Sequence, residues 1–107
     1  MIRHIVLVRF REGVPPEDRA ALRDTLRDLE VGASGGAAAY QGFAFGSNVS
    51  PEGLAQGFDT GFTIDFADAA ARDAYLVDPG HQALGARLVV AAEGGLKGLI
   101  VLDIDMG

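Results

Sequence analysis

The sequence predicts an α+β fold in which a four-stranded antiparallel sheet carries its helices on one face. Two observations predict it. Stretches rich in β-branched and aromatic side chains alternate with helical stretches in the order strand, helix, strand, strand, helix pair, strand. One strand also shows a strict alternation of apolar and polar residues, which is typical of a strand with one buried face.

The first two elements are a strand and an amphipathic helix. Residues 2–11 are dense in Val, Ile, Leu and Phe, and a turn with two prolines ends this strand. In residues 17–30 the apolar side chains of Leu22, Leu26 and Leu29 recur at helical spacing, with arginines and aspartates between them. The helix is therefore expected to bury one stripe and to expose a charged face.

A connector and two strands follow. The glycines of residues 32–38 come after a helix and do not fit the spacing of a dinucleotide or phosphate loop, so this stretch is predicted to be a flexible connector. Residues 40–47 are predicted to form the second strand. In the third strand, residues 58–66, even positions after the first carry Thr, Phe, Ile and Phe, whereas odd positions carry Asp, Gly, Thr and Asp. Its even face is expected to be buried.

Two aspartates mark the starts of two helices in the second half of the chain. Asp68 can cap a short helix that runs to about residue 76, and Asp78, followed by proline, is a typical N-cap for a second helical piece. We expect that piece to end at Gly94-Gly95, a common helix C-terminus signal. Residues 98–104 are predicted to form the last strand.

This order of elements is the split βαβ pattern of a ferredoxin-like sandwich, and residues 1–107 are expected to form a single domain. The first strand is apolar on both faces, with Val6 and Val8 on one and Ile5 and Leu7 on the other. Because the helices of this topology cover only one face of the sheet, a partner must cover the other. We therefore expect a homodimer whose two sheets pack face to face into a dimeric α+β barrel.

Composition excludes several classes of function. The chain has no cysteine and only two histidines, which rules out cysteine nucleophiles, thiolate-bound metals and an all-histidine metal site. Fifteen acidic residues against nine basic ones give a net charge of −6, which disfavours nucleic acid as a partner. No apolar run approaches the roughly 20 residues that span a bilayer, and no signal peptide is recognisable. We expect a cytoplasmic protein without membrane contact, cofactor or metal.

Three side chains are candidates for chemistry. His81 would lie in the first turn of the helix capped by Asp78, where the helix dipole disfavours a protonated imidazole. A neutral imidazole can act as a general base on an acidic C–H, such as one next to a ketone. Tyr75 lies just before the break between the two helices, so its phenol can turn towards the same pocket and donate a hydrogen bond. His4 shares its strand face with Val6 and points towards an apolar layer.

Each candidate also has a purely structural interpretation. His81 can pack beside the helix start and bond a loop carbonyl, Tyr75 can be a tyrosine at the edge of the core, and His4 can be a half-buried histidine with its polar atoms satisfied. Asp59 is a carboxylate in an otherwise apolar stretch, but its spacing from Glu52 fits no recognised metal loop. We interpret Asp59 as a solvated or salt-bridged strand residue.

Several stretches are together similar to one known family. They are IRHIVLVRF at residues 2–10, NVSPEG at 48–53, QGFD at 56–59 and AYL at 74–76 with the following Pro79 and His81-Gln82. Over nearly the whole chain they resemble the stress-responsive dimeric α/β-barrel (Dabb) family. The resemblance implies a homodimeric ferredoxin-like barrel.

The same resemblance implies a site. Some plant members are polyketide cyclases, which close a linear poly-β-keto chain by intramolecular aldol condensation. They use a histidine and a tyrosine in the positions of His81 and Tyr75, with another histidine matching His4. This sequence departs from the family at Asp78, where many members have histidine, and at Leu26, where the cyclases have a pocket tyrosine.

The leading hypothesis is a small stress-response-type homodimer that binds a small apolar ligand between sheet and helices, with cofactor-free acid–base activity of the cyclase or lyase kind. One alternative is a non-enzymatic stress-associated binding or structural dimer, which Leu26 and the lack of a charged substrate clamp favour. Another is a cofactor-independent monooxygenase, because that chemistry also occurs on dimeric ferredoxin-like barrels.

Overall fold

A computed structural model of the protein describes residues 1–30 and 40–107, without the side chains of residues 29 and 30. The predicted connector, residues 32–38, and the side chain of Leu29 therefore lie outside the described part. The described residues form β1 (Ile2–Val8), α1 (Pro16–Glu30), β2 (Gln41–Ser47), β3 (Thr60–Phe66), α2 (Ala69–Val77), α3 (Pro79–Ala91), a 3-10 turn (Gly95–Gly98) and β4 (Leu99–Asp105).

The four strands form one antiparallel sheet in the order β2-β3-β1-β4. With one helix between β1 and β2 and two between β3 and β4, this is the predicted ferredoxin-like α+β architecture, which is confirmed. The longest described helix, α1, has 15 residues, and in this part of the chain no helix is long and apolar enough to cross a membrane.

The core lies between the sheet and the helices. Even-numbered residues of β1 and β3 point into it, so the alternation predicted for β3 is confirmed. Leu22 and Leu26 of α1 are buried, as their spacing predicts. The largest fully buried side chains are Tyr75, Phe66, Leu26, Ile64, Leu84 and Val8.

The opposite face of the sheet is apolar and open. Ile5 and Leu7 of β1 lie beside Leu102 and Ile100 of β4, and the two β4 side chains are exposed. No described helix covers this face. A single chain therefore leaves exposed the apolar sheet face for which the sequence predicts a covering partner.

Two predicted boundaries were wrong for one shared reason. β1 ends at Val8, and Phe10 instead forms an isolated bridge with Ala92. Because this bridge requires extended backbone at Ala92, α3 ends before the two glycines rather than at them. Gly94 and Gly95 have positive φ and lead into the 3-10 turn instead.

Candidate functional site

The junction between α2 and α3 is organised by Asp78. Its backbone N–H donates to the carbonyl of Tyr75 at 3.1 Å, which closes the end of α2. Its carboxylate accepts from the backbone N–H of His81, also at 3.1 Å, which begins α3 and confirms the predicted cap. One buried aspartate therefore holds Tyr75 on the last turn of one helix beside His81 on the first turn of the next.

Tyr75 is the centre of an aromatic cluster that contains all three predicted site residues. Its ring centroid lies 4.0 Å from that of His81 and 5.8 Å from that of His4, which reaches it from β1. Phe66 of β3 lies 5.1 Å away and Tyr40 lies 5.3 Å away. The fold thus brings together His4, Tyr75 and His81, which are distant in the sequence.

These three side chains line a cavity of about 300 Å³ between the sheet and the helices. The other described lining residues are apolar side chains or glycine, and no Asp, Glu, Lys or Arg is among them. The volume lies at the lower end of the roughly 300–1,000 Å³ that is usual for ligand sites. The cavity suits a compact, uncharged molecule.

A larger hollow of about 650 Å³ lies on the open face of the sheet, over Ile5 and Leu7. Neither histidine lines it, and its floor is the apolar face that a second copy is expected to cover. The smaller cavity, where the titratable groups converge, is therefore the candidate site.

Two buried polar atoms in the cavity residues lack a partner among the described residues: the hydroxyl of Tyr75 and Nδ1 of His81. A buried polar group left without a hydrogen bond costs about 1–3 kcal/mol, so such atoms are uncommon in folded proteins. Both atoms therefore have unused hydrogen-bonding capacity in residues that line the cavity.

Burial and nearby charged groups shift the pKa values of Tyr75 and His81. Burial, and then the charge of Asp78, raise the pKa of Tyr75, so its phenol stays a hydrogen-bond donor at neutral pH. Burial, and then the proximity of His4, lower the pKa of His81 and outweigh Asp78, which acts in the opposite direction. A donor and an unprotonated imidazole hence share one cavity.

Sequence reasoning missed two residues that support His4. Nδ1 of the buried His4 lies 2.6 Å from Oδ1 of Asp103, and Oδ2 of Asp103 accepts from Arg72 at 3.2 Å. Burial opposes ionisation of Asp103, but the hydrogen bond from His4 and the interactions with Arg72 hold its pKa below the ordinary value. The feature that could have indicated this contact is the topology, because β1 and β4 are neighbouring strands in a split βαβ fold.

Two further residues singled out in the sequence, Leu26 and Asp59, lie in different parts of the fold. Leu26 lines the cavity, and its carbonyl accepts a hydrogen bond from Tyr40, whose own side chain does not line it. Asp59 is exposed and lies just before β3 rather than within it, with its carboxylate 2.8 Å from the hydroxyl of Thr60. Among the described residues, no three His, Asp or Glu side chains are grouped as metal ligands.

The family model for the stress responsive A/B barrel domain matches residues 2–104. A dimeric ferredoxin-like protein of unknown function from Jannaschia sp. CCS1 has a similar structure, with 27% identity, a TM-score of 0.79 and 98% of each chain covered. Comparison with the curated proteins found no significant match.

Two further solved structures show the same fold at lower identity. At3g17210 from Arabidopsis thaliana has 23% identity and a TM-score of 0.85, with 100% of this chain and 96% of that chain covered. A hydroxynitrile lyase from Passiflora edulis has 19% identity and a TM-score of 0.82, with 99% and 94% covered. At these identities the likeness concerns the fold alone.

Proposed function

This chain belongs to the stress responsive A/B barrel domain family, and we propose that it is a homodimer that binds a small, largely apolar carbonyl compound in the cavity of each subunit. The proposed activity is cofactor-free acid–base chemistry at the carbon next to the carbonyl, of the kind that lyases and cyclases use. The observation that carries this proposal is the pair of buried, unpartnered polar atoms, on Tyr75 and His81, in residues of one cavity.

The open sheet face supports the homodimer. Ile5, Leu7, Ile100 and Leu102 share this face and would lose water contact in a face-to-face pair. A protein from Jannaschia sp. CCS1 that is 27% identical is described as dimeric. We propose that two copies bury these side chains against each other around a two-fold axis.

The proposed chemistry assigns one task to each unpartnered atom. The hydroxyl of Tyr75 donates a hydrogen bond to the carbonyl oxygen of the ligand, which stabilises negative charge on that oxygen. Nδ1 of neutral His81 takes the proton when the adjacent C–H bond breaks, and the electron pair of that bond moves onto the carbonyl to form an enolate. Return of the proton from His81 regenerates the ketone. Alternatively, the enolate carbon attacks a second carbonyl of the same ligand and closes a ring, and the alkoxide formed from that carbonyl takes the proton back from His81.

His4 is proposed as the second imidazole of the site. An ionised carboxylate can only accept hydrogen bonds, so the contact with Asp103 places a proton on Nδ1 of His4. Nε2 is then the ring nitrogen of His4 that is left to bind a hydroxyl of the ligand or a water.

Hydrogen–deuterium exchange tests the proposed activity directly. 2-Butanone in D₂O, followed by proton NMR, should lose its signals next to the carbonyl faster with the protein than with an equal concentration of free imidazole. His81→Asn should abolish this acceleration and Tyr75→Phe should reduce it. Gln82→Asn, an exposed neighbour on α3, is the matched control and should exchange at the wild-type rate. Equal rates for protein and free imidazole would contradict the proposed activity.

Leu26 favours one alternative, a dimer that binds a ligand without turnover. An apolar side chain lines the cavity where the resemblance places a second phenol, so fewer groups are available to orient a reacting ligand. Saturable shifts of amide NMR signals around the cavity on addition of 2-butanone, without accelerated exchange, would support this alternative.

A further inference from the structure

Two residues that line the cavity carry buried polar atoms, whereas its outer rim is apolar. We define the rim as Leu76, Leu96 and Val101, which line the cavity and are 43%, 74% and 57% exposed. By contrast, the Tyr75 hydroxyl and Nδ1 of His81 are fully buried. A ligand whose carbonyl reaches these two atoms therefore has the rim between itself and the solvent.

The rim is formed by three separate elements. Leu76 belongs to α2, Leu96 to the 3-10 turn and Val101 to β4. Val101 lies beside the buried Val6 and so points to the helix side of the sheet, yet the helices leave it uncovered. Single exposed aliphatic side chains are ordinary, but these three all line one cavity, so its solvent-exposed lining is apolar.

We propose that the ligand is an amphipathic ketone or related neutral carbonyl compound whose head lies inside and whose unbranched aliphatic tail leaves the cavity across the rim. This inference rests on the proposed function, because Tyr75 and His81 must hold the carbonyl for the tail to face outwards. The cavity of about 300 Å³ holds a compact head, and a longer molecule must extend beyond it. The absence of charged side chains from the described lining fits a neutral head.

A homologous series of 2-alkanones, from 2-butanone to 2-nonanone, provides the probes. Dissociation constants are measured by NMR titration of the protein. The affinity should rise by about twofold for each added methylene in the longer members, roughly half the free energy of a fully buried methylene, because the rim is half exposed. An affinity that does not change with chain length would overturn the tail assignment.

A substitution on the rim tests the contribution of the ligand's tail to affinity separately from that of its head. Val101→Thr keeps the shape of the side chain and should reduce the gain in affinity with chain length, so that 2-nonanone loses more affinity than 2-butanone does. The matched control is Val90→Thr, a valine on α3 that is 70% exposed and does not line the cavity, and it should behave like the wild type. An undiminished gain in Val101→Thr would contradict the proposed path across the rim.

Contacts observed by NMR test the orientation. With 2-nonanone bound, the acetyl methyl should show nuclear Overhauser effects to the rings of Tyr75 and His81, and the terminal methyl to Leu96 and Val101. The reverse pattern would overturn the inference while leaving the proposed function intact. If no alkanone binds, including 2-butanone, the proposed function fails and this inference fails with it.

Discussion

His4 and Asp103, 99 residues apart in the sequence, form a 2.6 Å hydrogen bond across the β1–β4 pair, where they are direct register partners. The second carboxylate oxygen of Asp103 binds Arg72 of α2. The same aspartate therefore orients an imidazole on the sheet and ties α2 to the sheet edge. Because Tyr75 is also on α2, this contact helps to fix the position of its phenol relative to His4.

Asp103→Asn should lower the free energy of unfolding by about 1 kcal/mol, because a charge-assisted hydrogen bond to a buried histidine becomes a neutral one and Arg72 loses an ionic partner. Urea denaturation measures the change. Asp73→Asn is the control, since Asp73 also binds Arg72, at 2.9 Å, but is 65% exposed; we expect less than about 0.5 kcal/mol there. Equal losses in both variants would show that the bond to His4 contributes nothing.

The sequence could predict the local parts of this site but not its long-range support. Asp78 followed by proline is a local signal, and it correctly placed the cap that brings Tyr75 and His81 together. Asp103 carries no local signal, because an acidic residue near the end of a strand is ordinary at an exposed edge. Its role arises only from the register that places it opposite His4.

His81 should titrate with a pKa below the ~6.5 of a free imidazole, since burial and His4 disfavour its charged form. Proton NMR of the ring measures this pKa. The proposed exchange activity should rise with pH through that pKa and then level off, because only the neutral ring accepts a proton. In Asp78→Asn the amide retains the cap but loses the charge that raises the pKa of His81, so the pKa should fall further.

The same shift makes stability depend on pH. Because the folded pKa of His81 lies below the unfolded one, the unfolded chain binds more protons between the two values. The associated stability is complete above the unfolded pKa of about 6.5 and is lost as the pH falls through the folded pKa. His81→Asn should lack this part of the pH dependence in urea denaturation. A His81 pKa above 6.5 in the wild type would contradict both expectations.

The two faces of β1 also show what sequence patterns leave open. Odd-numbered and even-numbered residues of β1 are both mostly apolar. The sequence therefore indicated that a partner was needed, but not which face of the sheet it covers. The register resolves this, since the even residues pack under the helices and the odd residues Ile5 and Leu7 share the open face with β4. Only the packing of the helices distinguishes two equally apolar sides of a strand.

Ile5→Asp should prevent formation of the homodimer, because it places a charge in the middle of the open apolar face. Sedimentation of the wild type at micromolar concentration should give about twice the monomer mass, and the variant should sediment as a monomer or unfold. Val90→Asp, exposed on α3, is the control and should remain dimeric. Val8→Asp addresses a different site, since Val8 is 0% exposed under the helices, and should abolish folding. A dimeric Ile5→Asp variant would refute the proposed interface.

Tyr75→Phe should weaken ligand binding without lowering the stability of the protein. The hydroxyl of Tyr75 is buried without a partner among the described residues, so its removal should leave the free energy of unfolding unchanged or raise it by up to about 1 kcal/mol. Binding of 2-butanone should nevertheless weaken about tenfold, because the ligand carbonyl loses its donor. Urea denaturation and NMR titration of the same samples measure the two effects.

Tyr40→Phe is the matched control for this variant, and the opposite pattern is expected. Tyr40 contacts the same ring cluster, but its hydroxyl donates to the carbonyl of Leu26 and its side chain does not line the cavity. Loss of that buried hydrogen bond should destabilise the protein by about 1 kcal/mol, while the affinity for 2-butanone changes little. A cost in stability for Tyr75→Phe, with unchanged binding, would assign Tyr75 to packing and remove the donor on which the proposed chemistry depends.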